Sequence, residues 1–415
     1  MQSSNFQTDQ DVEVGQDIEI EKGARCFADT ARVAPQASAA YLFIFLEIFE
    51  QEGGIQSYVQ DIFRSYSSFS KQSADVFLLR DGQDCANPFQ SDRLNFHYFK
   101  HKFAQLGRLR MAIALLLHIL KNRPQRVFCG HINLAPLVRF LCQPFQIPYT
   151  VMIHGKEVWE PLPPALRIAL QQADEIWTVS RYSRDRASAS NQLDSSKIRL
   201  MHCAVDGDRF TPGEKSAVLV ERYGLADAKV MVTVARLWSG DIYKGVDMTI
   251  RALGAIAQSI PNVKYLVIGR GDDQPRLAQL AKDLGVGDRV VFAGFVPTAE
   301  LTEHYRLADA YVMPSQEGFG IVYLEAMACG VPVLAGDADG SADPLQDGKL
   351  GWRVTHRDVA AIAHACVEML QQQATQQGRT DGKWLRQQVL DLFGKAAFTQ
   401  RLQDALPKYL PKEKK

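Results

Sequence analysis

Residues 314–336 read PSQEGFGIVYLEAMACGVPVLAG. Three apolar residues, Tyr311, Val312 and Met313, lead into them and close a strand-length run. Pro314, Gly318 and Gly320 then punctuate the chain, and a helix is predicted to begin near Phe319 and Gly320. Gly330 ends it, and residues 332–335 return to strand character. The unit is strand, glycine-rich turn, helix, strand. Strands joined through a helix lie parallel, because a tight hairpin joins only antiparallel ones. The stretch therefore predicts an α/β fold built on parallel sheets.

The same alternation extends outward along the chain. Apolar runs at 41–49, 75–79, 126–129, 149–153, 175–179 and 198–201 are predicted strands, as are 230–234, 265–268, 290–292 and 310–313. Segments of helical length separate most of them, including 55–70 after Gly53 and Gly54. Near-continuous apolar strands mean sheets covered by helices on both faces. The stretch DGDRFTPGE at 206–214 interrupts the series with turn residues. The expected organisation is an acidic, disordered extension over 1–38 and two Rossmann-like, doubly wound domains over 39–210 and 211–390. Residues 391–415 are expected to form a helix that packs back on the first domain, followed by a basic tail. Two such domains face a central cleft at the carboxyl ends of their strands, where ligands bind.

Composition removes several classes. Apolar residues are 46% and charged residues 23% of 415, so the chain is not disordered throughout. Lys and Arg number 47, as do Asp and Glu, which argues against a basic nucleic-acid binder. The seven cysteines include no C-x-x-C pair, so neither a disulfide framework nor a zinc site is indicated and a reducing cytoplasm fits. The longest apolar run, 111–120, is broken by His118 and falls short of the roughly 20 residues a membrane span needs. Charge is uneven, with no Asp or Glu between Arg93 and Lys156. Phe96, Tyr98, Phe99 and Phe103 interleave with cations there. Such a stretch suits peripheral docking on an anionic membrane or an acidic acceptor, or is a solvated basic face.

The glycine-rich turn also carries chemistry. Gly318 and Gly320 let backbone approach a ligand, and the amides of Phe319, Gly320 and Ile321 open a helix, whose N-terminus attracts phosphate. Glu317 precedes that helix and Glu325 lies inside it, so two carboxylates can meet one ligand at different heights. Acids beside a diphosphate make sense as acceptors from sugar hydroxyls. Upstream, VARLWSGDIYKG at 234–245 supplies Arg236 at a strand end and Lys244 after a polar loop, a pair able to neutralise a diphosphate. Arg270, in the VIGRG turn at 267–271, is read as local turn chemistry, with a donor-site role as the alternative.

Together these residues resemble the retaining glycosyltransferases of family 4, which have the GT-B fold. The E-x7-E element, Glu317 to Glu325, is the most specific part of the resemblance. GRGDDQPRLAQLAKDLGVGDRVVFAGFVP at 269–297 and GSADPLQDGKLGW at 340–352 support it. In the first half, Gly53-Gly54 stands where the family has its acceptor-side loop, and His154-Gly155 where it has an active-site histidine. The resemblance implies transfer of a hexose-type sugar from a nucleotide diphosphate donor, UDP-sugar or GDP-sugar, to an acceptor hydroxyl of a sugar or a lipid-linked glycan. It implies that Glu325 holds ribose and Glu317 the donor sugar, with Gly318, Phe319, Gly320 and Ile321 beside it. Arg236 and Lys244 would clamp the diphosphate, and His154 would touch the donor sugar. No tightly bound cofactor or metal is implied. The junction HCAVDGDRF departs from the family, where Asn-Gly often precedes Val-Asp. The rival readings are a non-catalytic sugar-nucleotide-binding protein and a GT-B-fold sugar-nucleotide epimerase. A Rossmann dehydrogenase is disfavoured, since no G-x-G-x-x-G follows the first strand.

Overall fold

The computed structural model describes residues 40–372 and 378–406. The expected acidic extension, the basic tail and most of the glutamine-rich segment 371–377 lie outside the described residues. Seven strands form the first sheet: β1 (Tyr41–Phe45), β2 (Ala74–Leu78), β3 (Leu94–Tyr98), β4 (Arg126–Cys129), β5 (Tyr149–Ile153), β6 (Glu175–Thr178) and β7 (Ile198–Leu200). Six form the second: β8 (Lys229–Val234), β9 (Val263–Ile268), β10 (Val290–Gly294), β11 (Ala310–Met313), β12 (Val333–Gly336) and β13 (Trp352–Val354). The spatial orders are β3-β2-β1-β4-β5-β6-β7 and β10-β9-β8-β11-β12-β13. Every pairing between these strands is parallel. In both sheets the order reverses once, between β1 and β4 and between β8 and β11. These are topological switch points, where the loops part and leave a crevice.

Helices of the first lobe are α1 (Gly54–Phe69), α2 (Ala104–Asn122), α3 (Ala135–Cys142), α4 (Pro164–Gln171) and α5 (Arg181–Asn191). The second lobe has α6 (Ala217–Arg222), α7 (Val246–Ser259), α8 (Gln274–Asp283), α9 (Leu301–Arg306), α10 (Ile321–Ala328) and α11 (Val359–Gln371). Last come α12 (Gly382–Phe393) and α13 (Lys395–Ala405).

The apolar runs follow from burial on both faces. Tyr41, Phe43 and Phe45 of β1 pack with Tyr58, Ile62, Phe63 and Tyr66 of α1. Leu42 and Ile44 point the other way, into a cluster with Met111, Leu115 and Ile119 of α2 and Val138 of α3. In the second lobe Met231, Tyr265 and Val267 pack under α7 and α11. Burying one such side chain contributes about 1.5–3 kcal/mol, so these layers carry most of the favourable term in folding.

Three expectations need correction. The run 41–49 is not one strand, because β1 ends at Phe45. The amides of Ile48, Phe49 and Glu50 turn away to donate to the buried Asp81 carboxylate at 2.6, 3.1 and 3.0 Å. The strands β3 and β13 were not expected at all. Both are sheet edges, where one flank has no partner strand and the apolar pattern is diluted. Finally, the aromatics of the acid-free stretch are mostly internal. Phe96 and Phe99 are buried, Arg126 pairs with Glu175, and Lys100 pairs with Glu50.

The chain crosses between lobes twice. Val205 donates to the Phe393 carbonyl at 2.9 Å where the segments meet. The Arg386 guanidinium binds the carbonyls of Phe210, Ala328 and Gly207 at 2.5, 2.6 and 2.6 Å. Beyond this crossing α13 lies on α1, with Phe398 edge-on to Tyr58 and Thr399 bonded to Ser65.

Candidate active site

Four loops converge on one cavity: those after β1, β5, β8 and β11. The loop after β11 is fixed by backbone contacts. The Glu317 amide donates to the Asp339 carboxylate at 2.7 Å, and the Glu317 carbonyl accepts from the Gly340 amide at 2.8 Å. Asp339 is buried and also accepts from the Ser341 amide at 2.9 Å. Burial pushes its carboxyl up to about 7, against the pull of those hydrogen bonds. Gly318 lies directly on the turn that carries His154. A Cβ there would sit 2.1 Å from the His154 carbonyl oxygen, so only glycine allows this approach between lobes. Gly320 caps α10 with a φ of 90°, in the left-handed region.

The side chains are mutually engaged. Lys244 Nζ ion-pairs with Glu317 Oε1, both partly buried. Arg236 Nε donates to Asp241 Oδ2 at 2.6 Å, while its guanidinium lies 5.4 Å from the Trp238 ring centroid. Lys156, from the first lobe, reaches over the Tyr243 ring of the second with Nζ 3.1 Å from the centroid. Burial lowers the Lys156 pKa, partly offset by Glu317 and Asp241. His154 Nε2 lies 3.3 Å from the Gly130 carbonyl oxygen, and its ring meets Tyr58 edge-on at 5.5 Å. Tyr305 Oη donates to Glu325 Oε2 at 2.7 Å. Burial raises the Glu325 pKa, and this hydrogen bond opposes the rise.

Two cavities meet at Lys244. The smaller, about 330 Å³, is lined by Gly54, His154, Lys244, Glu317 and the turn from Gly318 to Ile321. The larger, about 1080 Å³, is lined by Gly53, Arg236, Lys244, Arg270 and Phe295, among others. The structure thus brings every expected site residue to these walls except Glu325, which lines neither cavity and is engaged by Tyr305. Two helices, α1 and α10, begin at the walls, and neither has an acid in its first turn. Their N-terminal dipoles make the junction attractive to anions. Arg270 does more than shape a turn, since it stacks over Phe295 at 4.6 Å on the larger cavity wall.

Sequence reasoning missed Asp339, Lys156, Tyr243 and Tyr305. Lys156 stands beside His154-Gly155, which was the available signal. Asp339 had a weaker one, an Asp two residues before Ser341 in an Asx-type turn. Among the described residues, no group of three or more His, Cys, Asp or Glu is placed to hold a metal ion.

Two doubly wound parallel domains with a cleft between their switch points define the GT-B architecture. Residues 228–372, in the second lobe, match the family described as Glycosyl transferases group 1. The GDP-mannose-dependent alpha-(1-6)-phosphatidylinositol monomannoside mannosyltransferase of Mycolicibacterium smegmatis is 41% identical over 231 residues, 52% of this chain and 59% of that protein. The D-inositol 3-phosphate glycosyltransferase of Mycobacteroides abscessus is 36% identical over 196 residues, 45% of this chain and 42% of that protein. The chain thus spans less than two thirds of these curated relatives. Anabaena HepE, solved with UDP and glucose, shares the fold with a TM-score of 0.70 at 20% identity, over 89% of this chain and all of that one. Sucrose-phosphate synthase of Thermosynechococcus elongatus gives 0.71 at 22% identity, over 88% and 98%.

Proposed function

We propose that the protein is a retaining glycosyltransferase that moves a hexose-type sugar from a nucleotide diphosphate donor to an acceptor hydroxyl. One observation carries the reading. Lys244 and Glu317 stand together where two cavities and two helix N-termini meet, which suits a ligand with a sugar at one end, a nucleoside at the other and phosphates between. In this reading the donor sugar occupies the smaller cavity against Glu317 and His154. The nucleoside occupies the larger one, near Arg270 and Phe295, with ribose toward Glu325. Arg236, Lys244 and the amides opening α10 hold the diphosphate. Gly53 and Gly54 border the acceptor.

Glycosyl transfer builds positive charge on the sugar ring while negative charge grows on the leaving diphosphate. Fixed cations and helix dipoles aimed at the diphosphate stabilise that separation more than they stabilise the substrate, which lowers the barrier. The name of the mannosyltransferase relative favours GDP-mannose as donor and a glycolipid as acceptor, while that of the inositol-phosphate relative favours a soluble acceptor.

Melting the protein with GDP, UDP and ADP, and then with GDP-mannose, tests the donor. A nucleotide at 100 times its dissociation constant stabilises by about 2.7 kcal/mol, a shift of several degrees. One base is expected to shift the melt, and proton NMR of the product made with that donor is expected to show the anomeric configuration retained. No shift from any nucleotide refutes the donor site, and an inverted product refutes the retaining mode.

A further inference from the structure

We infer that the outer face of α2 is a bilayer-docking surface that inserts among anionic lipids. The helix, AQLGRLRMAIALLLHILKN, carries apolar residues on two opposite sides, a pattern found where both sides of a helix are covered. Only one side is covered by protein. Gly107, Met111, Leu115 and Ile119 are buried against the first sheet. Leu106, Leu109, Ile113, Leu116, Leu117 and Leu120 are exposed, with Leu109 at 56% and Leu117 at 61%. At about 100° per residue these six fall in one stripe about 100° wide, opposite the buried face. Phe103, just before the helix, is 66% exposed and extends the stripe. Soluble surfaces seldom gather apolar side chains this way without a partner.

Charge selects the partner. Arg110 and Lys121 border the stripe, Lys102 lies exposed just before the helix, and Arg108 is exposed on another side of it. None of these four forms an ion pair among the described residues, and no acid lies between Arg93 and Lys156. A second copy docking on this face would bring these like charges together. Anionic headgroups satisfy the cations while acyl chains cover the leucines, the division of labour of an interfacial helix. Of the expected mixture of cations and aromatics, Phe96 and Phe99 are buried, and the docking element is the leucine stripe with Phe103 at its end.

The position of the helix suits a lipid-borne acceptor, a point that rests on the proposed function. The loop before α2 follows the carboxyl end of β3, and its Lys100 pairs with Glu50, a residue on the wall of the larger cavity. The loop leading into α2 is thereby tied, through one ion pair, to that cavity's rim.

Sedimentation of the full chain with vesicles tests the docking without reference to turnover. Vesicles of phosphatidylcholine with 30% phosphatidylglycerol are expected to carry the protein down at low salt, and pure phosphatidylcholine to carry down much less. The double variant Leu109→Gln, Leu117→Gln is expected to bind about tenfold more weakly or worse, while keeping the wild-type melting temperature and nucleotide-induced shift. Arg110→Glu with Lys121→Glu is expected to lose the preference for the anionic vesicles. The inference is overturned if the wild type sediments with neither vesicle, or if the leucine variant binds as the wild type does. It is equally overturned if light scattering finds a wild-type dimer that the leucine variant dissociates, because the stripe is then a self-interface.

Discussion

Lys244 and Glu317 cancel one another's charge across a gap in which neither is fully solvated. Losing Lys244 leaves a partly buried carboxylate without its cation, exactly where the proposed diphosphate would also lose one. A charged hydrogen bond contributes about 1.5–3 kcal/mol, so Lys244→Ala is expected to weaken nucleotide binding about tenfold to a hundredfold by titration calorimetry. Wild-type affinity in that variant would remove Lys244 from the phosphate site. At this scale the sequence was informative where chemistry is local. Glu317, Gly318 and Gly320 lie in one turn, and their spacing was enough. Asp339 was not legible, because its role is a hydrogen bond to an amide 22 residues earlier, which only the finished fold creates.

Among the elements, the loop after β11 is held by close-stacked backbones together with the Asp339 side chain. A Cβ on Gly340 would stand 2.0 Å from the Gly318 carbonyl and 2.8 Å from Ser180 Oγ. Overpacking of this kind costs about 1–3 kcal/mol. Gly340→Ala is therefore expected to lower the melting temperature by a few degrees and to reduce turnover by a larger factor, since the displaced turn carries Glu317. Unchanged turnover would mean that the loop tolerates displacement. Elements with strong patterns were legible. The run YLFIF of β1 is apolar at every position because both sheet faces are covered. The edge strands were not, since β3 mixes Asn95 and His97 into its five residues and β13 has three residues in all.

Across the whole molecule, the lobes are tied beside the cleft by Arg181 of α5 and Asp343 of the second lobe. Burial alone would raise the Asp343 carboxyl. The His202 imidazole, 3.4 Å away, and hydrogen bonds from the Arg181 amide and guanidinium outweigh it and hold the pKa below the ordinary value of 3.8. A carboxyl depressed in the folded state stabilises the protein above its unfolded value, and that contribution is lost as pH falls through the folded value. Asp343→Asn is thus expected to melt below the wild type by a constant margin above about pH 5, with the gap closing in acid below about pH 4. A gap independent of pH down to 3 would show that the carboxylate's charge is not what ties the lobes.

The packing of α13 on α1 has a consequence for synthesis. Phe398 and Leu402 complete the same cluster as Tyr58, Ile62 and Phe63, yet more than three hundred residues of chain separate them. On the ribosome, the aromatic side of α1 emerges early and waits while the whole second lobe is made. At 5–20 residues per second the interval is roughly 20–70 s. The first lobe is therefore born with an open seam, and α13 closes it once it is made.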